Sequence, residues 1–314
     1  MNNLNKPRFI ISALLLITIT IIVFNNLEAS SFFFSTTQRA ISEYLGWFII
    51  LTANGFLIFS TYLLFTKYKN IRLGGMDAKP SYTYTNWIAM LFSAGLGIGL
   101  LFYGVAEPIG NLNDYPEMIK GDISYNAGKA LSLTNLHWGL HGWAVYASLG
   151  LCFAFASYNK NKAFRVSSLL GKSVEKNKLL AATIDIIAIL TTVTGIATSL
   201  GLGATQINGG LDYVFDIKLN EFIIIVFITL LGLISVCLGL DAGIKRLSQL
   251  NMFIAIVLLL TVLILGPTIF ILNAMVQNAG AYINQIIQLS SWTEAYNDTV
   301  YQNGYTLFYF TWWF

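Results

Sequence analysis

From Asn86 to Glu107 the chain reads NWIAMLFSAGLGIGLLFYGVAE, longer than the about 20 apolar residues a helix needs to cross a bilayer. Gly95, Gly97 and Gly99 fall within five positions at its centre. Each glycine costs a helix interior roughly 1 kcal/mol relative to alanine. Three so close together predict an opened or distorted turn at membrane depth. Backbone there cannot leave N–H and C=O groups facing lipid, so it must face protein or a wet cavity. Interrupted spans near the midplane are where many transporters hold an ion or a polar solute. Gly95 and Gly99 alone would make an ordinary GxxxG packing pair, and the added Gly97 favours the opened backbone.

The rest of the chain has the same character. It is 56% hydrophobic and 11% charged, with a mean hydropathy of +0.66. Soluble domains carry roughly 25% charged residues, so the composition implies an all-α polytopic membrane protein. Eight apolar spans are predicted, at about 9–24, 45–65, 86–106, 138–158, 179–207, 222–240, 252–272 and 305–314. The last has only ten residues before Phe314, too few to cross, and predicts that the chain is the front part of a longer protein. Lys6 and Arg8 before the first run suit a signal peptide, but the run is long for one and further spans follow.

Orientation follows from Lys and Arg in the loops. With the N-terminus and alternate loops cytoplasmic, that side holds Lys6, Arg8, Lys67, Lys69, Arg72, Lys79, Lys160, Lys162, Arg165, Lys172, Lys176, Lys178, Lys245 and Arg246. The other side holds Arg39, Lys120, Lys129 and Lys218, together with most acids: Glu107, Asp114, Glu117, Asp122, Asp212, Asp216, Glu221, Glu294 and Asp298. Fourteen basic residues against four place the N-terminus in the cytoplasm. The net charge of +3 is then a topology signal, and no nucleic-acid partner is expected.

Between the spans, Tyr125–Leu136 reads as a partly amphipathic helix at the outer interface, and Phe164, Val166, Leu169 and Leu170 mark another in the basic loop. Asn273–Ser291 alternates apolar and polar residues at helical spacing. Cys152 and Cys237 fall inside spans and read as buried apolar thiols. Asp185 sits just inside the fifth span, where pairing with Lys178 or a neighbouring loop would accommodate it. No Ser/His/Asp, Walker or zinc-enzyme pattern is present, so no catalytic residues and no organic cofactor are expected.

In Leu136–Tyr146 (LHWGLHGWAVY), at 100° per residue with Trp138 as zero, Tyr146 falls near 80° and Trp143 near 140°. Two readings stand for this shared face: an interfacial aromatic belt, or a cage for a quaternary ammonium group. Trimethylammonium donates no hydrogen bond, and aromatic faces attract it by about 2 kcal/mol or more when desolvated. His137 and His141 have the i, i+4 spacing of metal ligands but lie off this face with no third ligand nearby, which favours helix packing or hydrogen bonding.

Five stretches then resemble the betaine/carnitine/choline transporter family. They are RLGGMDAKPSY at 72–82, MLFSAGLGIGLLFYGVAEP at 90–108, HWGLHGWAVYA at 137–147, DIIAILTTVTGIATSLGLGATQINGGL at 185–211 and YTLFYFTWWF at 305–314. The resemblance implies a LeuT-like inverted-repeat transporter fold of twelve spans, of which this chain would supply the first half and the start of the second repeat. It implies that backbone at Gly95, Gly97 and Gly99 meets the substrate, and that the carbonyls of Ser93 and Leu96 coordinate sodium. It completes an aromatic box of Trp138, Trp143 and Tyr146 with Trp313, and places Trp312 beside it. It also implies a homotrimer in the cell membrane.

The chain departs from the family pattern at several positions. Leu96 replaces a frequent Met, and Phe310 a frequent Trp. A second sodium site in the family uses two threonines; Thr192 matches one, and Ile196 stands at the other. Proton-coupled choline members carry Asp where this chain has Gly99, which argues for sodium coupling and for glycine betaine over choline or carnitine. The expected function is sodium-driven symport of a quaternary ammonium solute. The alternatives are a truncated, non-transporting membrane protein or sensor, and a membrane enzyme built on His137 and His141.

Overall fold

In the computed structural model, which describes residues 5–115, 123–296 and 301–314, every regular element is helical. Glu117, Lys120, Asp122 and Asp298, counted above among the outward charges, lie outside the described residues. Helix α1 (Lys6–Asn25) opens with Pro7 in its first turn, where the missing N–H costs nothing, and Asn5 accepts from the Arg8 amide. Only Asn26 separates it from α2 (Leu27–Phe65). The expected second span at 45–65 is thus the end of a 39-residue helix. The stretch before it is polar and aromatic but holds no proline, and no glycine before Gly46, so nothing terminates it.

The third span is divided. Helix α3 (Tyr84–Gly95), capped by Thr83, passes into a π-helical segment at Leu96–Tyr103 and then into α4 (Gly104–Asp114). Helices α5 (Ile123–Trp138) and α6 (Leu140–Ala154) follow, with short α7 (Val166–Leu169) and α8 (Lys172–Lys176) in the basic loop. Then come α9 (Lys178–Phe215), α10 (Glu221–Cys237), α11 (Lys245–Leu265) and α12 (Thr268–Ser290). The one-turn α13 (Tyr301–Gly304) and α14 (Thr306–Trp313) end the chain. The expected span at 252–272 is corrected: its helix stops at Leu265, because Pro267 has no amide to donate and disfavours helix at the residue before it. Gly239, at φ +82°, makes the turn after α10, a conformation that costs any other residue.

The chain divides into two compact units. The first takes the described parts of Met1–Ala78, Leu136–Gly195 and Ile287–Phe314. Its core is α2 against α6 and α14: Ile49, Ile50, Ala53, Val145, Leu307 and Phe310 are buried, and the Ser60 and Ser148 hydroxyls meet at 2.9 Å. Asp185 of α9 pairs with Arg8 of α1 and accepts from both the amide and the hydroxyl of Ser167, each at 3.0 Å. The expected loop partner is thus Ser167, and Arg8 rather than Lys178 supplies the charge.

The second unit, Lys79–Asn135 with Ile196–Ile286, packs α11 along α3, where Gln249 donates to Asn86 at 2.6 Å. Fully buried Asn111 of α4 donates to the Ala130 carbonyl at 3.2 Å and to Thr134 at 3.1 Å in α5. Asn126, Ala130, Ser132, Leu133 and Thr134 of α5 are buried too, so the segment expected at the outer interface lies inside the protein. Its polar residues mimic an interfacial face because their partners sit on another helix.

Five helical stretches among the described residues are long and apolar enough to cross a bilayer. Only 6% of the most apolar part of α1, and 11% of α9, is buried inside the protein. Leu, Ile and Phe surfaces that large require a non-aqueous surrounding, so the chain is a multi-pass membrane protein. Cys152 and Cys237, expected as buried, are exposed on such surfaces. The lipid face of a span is as apolar as its packed face, so hydropathy does not separate the two.

Outside the spans, Glu294 accepts from the Gln302 amide at 2.8 Å. Burial raises its carboxyl above the ordinary value, against the pull of the Gln302 and Tyr301 amides. A raised carboxyl contributes stability that is complete below the ordinary value and is lost as pH climbs through the folded one. Glu294→Gln, which keeps the acceptor, is expected to melt above wild type at neutral pH, with the gap closing as pH falls toward 4.5. A gap that stays constant on acidification rules this out.

Candidate functional site

The aromatic residues singled out from the sequence meet within the first unit. Helix α5 ends at Trp138, Gly139 leaves helical geometry (φ −96°, ψ −130°), and α6 restarts at Leu140. The continuous 100° wheel over Leu136–Tyr146 is therefore corrected, because the break resets the rotation between Trp138 and Trp143. The rings come together through α14 instead. The Trp313 indole lies 5.9 Å from Trp138 and 5.8 Å from Trp143, centroid to centroid. Trp143 meets Tyr146 at 5.7 Å and 85°, and Trp312 meets Trp138 at 6.5 Å. The four tryptophans are half-buried, and Tyr146 is exposed.

A second layer holds these rings in place. The Trp313 Nε1–H donates to the His137 carbonyl at 2.8 Å. That carbonyl lies in the last turn of α5, where helical acceptors lose their partners. His137 is fully buried, shares a hydrogen bond with Thr306 at 3.0 Å and stacks on Tyr309 at 4.8 Å. His141 is 3.1 Å from the Asn54 Oδ1 and stacks on Phe310 at 5.8 Å. Asn54 spends its amide on the Ile50 and Ser290 carbonyls, at 3.0 and 2.7 Å, so its oxygen accepts and His141 Nε2 carries the proton. The histidines thus make the hydrogen bonds of helix packing, and no cluster of three His, Cys, Asp or Glu occurs among the described residues.

Tyr309 was not singled out from the sequence, yet it meets Trp138 at 5.5 Å. Its position three and four residues before Trp312 and Trp313 was the available signal, since such residues share a helix face.

The glycine segment belongs to the second unit. No gap opens in the chain there. Instead the helix widens, and the Gly104 amide reaches back five residues to the Gly99 carbonyl. Gly95, at the end of α3, and Leu96, at the start of the widened stretch, keep right-handed helical angles. A Cβ on Gly97 would meet nothing within 4 Å, so close packing does not explain that glycine. Wide turns of this kind occur often at functional sites because they change which carbonyls have partners.

Ser93, one of the sodium ligands implied by resemblance, has its carbonyl and hydroxyl engaged by Asn251 Nδ2 at 3.2 and 3.0 Å. Thr192, in the first unit, is exposed and donates its hydroxyl proton to the Ala188 carbonyl at 2.7 Å, leaving its oxygen lone pairs. These are oxygen donors, the ligand class that suits a hard cation.

What the ring cluster can do chemically is narrow. It offers polarised faces and one indole N–H already committed to backbone, with no carboxylate and no nucleophile. A cation is attracted within about 6 Å of a ring centroid, and rings spaced as these are can share one.

The family profile described as BCCT, betaine/carnitine/choline family transporter, matches residues 7–314. The chain is 42% identical over 289 residues to the glycine betaine transporter OpuD of Bacillus subtilis, covering 88% of this chain and 56% of the relative. It is 39% identical to a glycine betaine/proline/choline transporter of Vibrio parahaemolyticus, over 90% of this chain and 54% of the relative. It is 36% identical to an ectoine/hydroxyectoine transporter of Virgibacillus pantothenticus, over 99% of this chain and 63% of the relative. The chain therefore spans about half to two thirds of the length of these curated relatives.

Proposed function

Because this chain belongs to the betaine/carnitine/choline transporter family, we propose that it serves the sodium-driven uptake of glycine betaine or a close quaternary ammonium relative. The family is one of transporters, and the chain is not an enzyme. The observation that carries the reading is the convergence of Trp138, Trp143, Tyr146 and Trp313 from three helices. The rings bind and orient the methylated cation by their faces, where a hydrogen-bonding site would gain nothing. The exposed Tyr146 edge of the cluster leaves an approach for the solute.

The Lys and Arg bias of the loops supports a cytoplasmic N-terminus. Inward movement of one charge then gains about 2.3 kcal/mol per 100 mV of membrane potential, enough with a sodium gradient to concentrate a solute. The widened backbone at Leu96–Tyr103 with the oxygens of Ser93 and Leu96 is the proposed contact for the coupling ion, and the Thr192 hydroxyl is a proposed contact at a separate, second ion site. Gly99, with no side chain to ionise, supports sodium rather than a proton as that ion.

The test is glycine betaine binding by the purified protein, followed by titration calorimetry in sodium and in potassium buffer. Trp143→Ala and Trp313→Ala are each expected to weaken binding at least roughly tenfold, the loss of one desolvated cation–π contact. Unchanged affinity in both variants ends the cage reading. Equal affinity in the two buffers ends sodium coupling.

A further inference from the structure

We infer that Gly142 is a positioning residue of the solute site: its missing side chain is the seat on which the Trp313 indole rests. The inference rests on the reading of the ring cluster as a solute berth. A Cβ built on Gly142 would stand 2.3, 2.5 and 2.7 Å from Cε2, Nε1 and Cζ2 of Trp313, and these are its three nearest atoms. A side chain at position 142 would therefore run first into the indole. Gly142 is buried within α6, where a glycine weakens the helix. The structure gives it one reason to be there, which is the ring.

The indole cannot step aside freely. Reaching ordinary contact at 3.4 Å from a Cβ now 2.3 Å away needs a movement of about 1 Å. Trp313 is held on one side by the 2.8 Å bond to the His137 carbonyl and flanked by Trp138 and Trp143. Hydrogen-bond geometry tolerates a few tenths of an ångström, not 1 Å. Any side chain at 142 therefore exchanges the ring's anchored position for a displaced one. Two backbone features together place this wall of the berth: the break at Gly139 ends α5 so that a carbonyl can receive the indole, and Gly142 provides clearance one turn further on.

The experiment uses the full chain in detergent with fluorotryptophan incorporated. The Trp313 fluorine resonance is identified by its loss in Trp313→Phe. It is expected to shift in Gly142→Ala and to stay in place in Gly150→Ala, a glycine of the same helix whose Cβ would meet nothing within 4 Å. This readout needs no ligand. An unmoved Trp313 resonance in Gly142→Ala overturns the proposal whatever the protein binds. In the binding arm, Gly142→Ala weakens glycine betaine at least tenfold, and adding it to Trp313→Ala weakens it no further. Independent, multiplying losses in that double variant also overturn the proposal. A shifted resonance in a protein that never binds glycine betaine supports the seat and rejects the berth, so the two failures are distinct. Should Gly142→Ala not fold, the Gly142→Ala/Trp313→Ala double variant is expected to fold as Trp313→Ala does, and its failure to do so overturns the inference.

Discussion

Asp185→Ala is expected to lower stability by about 3–5 kcal/mol, the usual cost of removing one partner from a buried ion pair. The Asp185 side chain is only 6% exposed and that of Arg8 16%, so the guanidinium left behind has little water to turn to. The same substitution orphans the Ser167 amide and hydroxyl, both of which donate to this carboxylate. Three elements, α1, α7 and α9, are tied at this one side chain, and all three come loose together. Asp185→Asn can keep the bond from the Ser167 amide but turns a donor or a neutral oxygen toward Arg8, so it is expected to fall between wild type and alanine. Arg8→Met/Asp185→Leu is expected to recover at least half of the loss, because an apolar pair of similar volume removes both the attraction and the desolvation. Thermal melting in one detergent, followed by tryptophan fluorescence, reads the series. Alanine and wild-type proteins melting together would show that the pair is bathed by solvent after all.

Phe310→Ala is expected to cost a similar amount, about 3–5 kcal/mol, as an aromatic ring deleted from a closed site. Phe310 is 1% exposed, stacks on His141 and meets the edge of His137 at 6.5 Å. Its removal leaves a cavity beside the rings of His137 and His141, and the His137 carbonyl anchors Trp313. The stability loss should therefore come with weaker glycine betaine binding, even though Phe310 lies behind the rings. Phe310→Leu refills part of the space and is expected to restore part of both quantities. A variant that is destabilised yet binds with wild-type affinity would detach the second layer from the site.

The places where sequence reading succeeded and failed have physical causes. The Asn86–Ala106 span was legible as irregular because glycines remove the side chains that hold a regular helix in register. That it widens rather than unwinds was not legible, since both outcomes begin from the same three residues. The span placed at 252–272 ran across Gly266–Pro267, where the chain's own chemistry ends the helix. A sliding apolar window has no term for a missing amide. The polar run before Leu45 falls outside the expected spans, yet it carries no breaker and stays helical. Cys152 and Cys237 were placed in a core because a span has two apolar faces and only one of them packs.

Membership of a transporter family, embedding in a bilayer and the aromatic residues that cluster in the fold were all readable from residue order. Bilayer thickness sets the length of an apolar run, and motif spacing is a local property. Three things came only with the folded chain: that the Trp313 indole is anchored on the His137 carbonyl, that Arg8 is the partner of Asp185, and that Gly142 is the seat of an indole. Each joins positions more than a hundred residues apart, and pairings at that range are chosen by shape and by the satisfaction of buried polar groups, for which hydropathy and periodicity carry no signal.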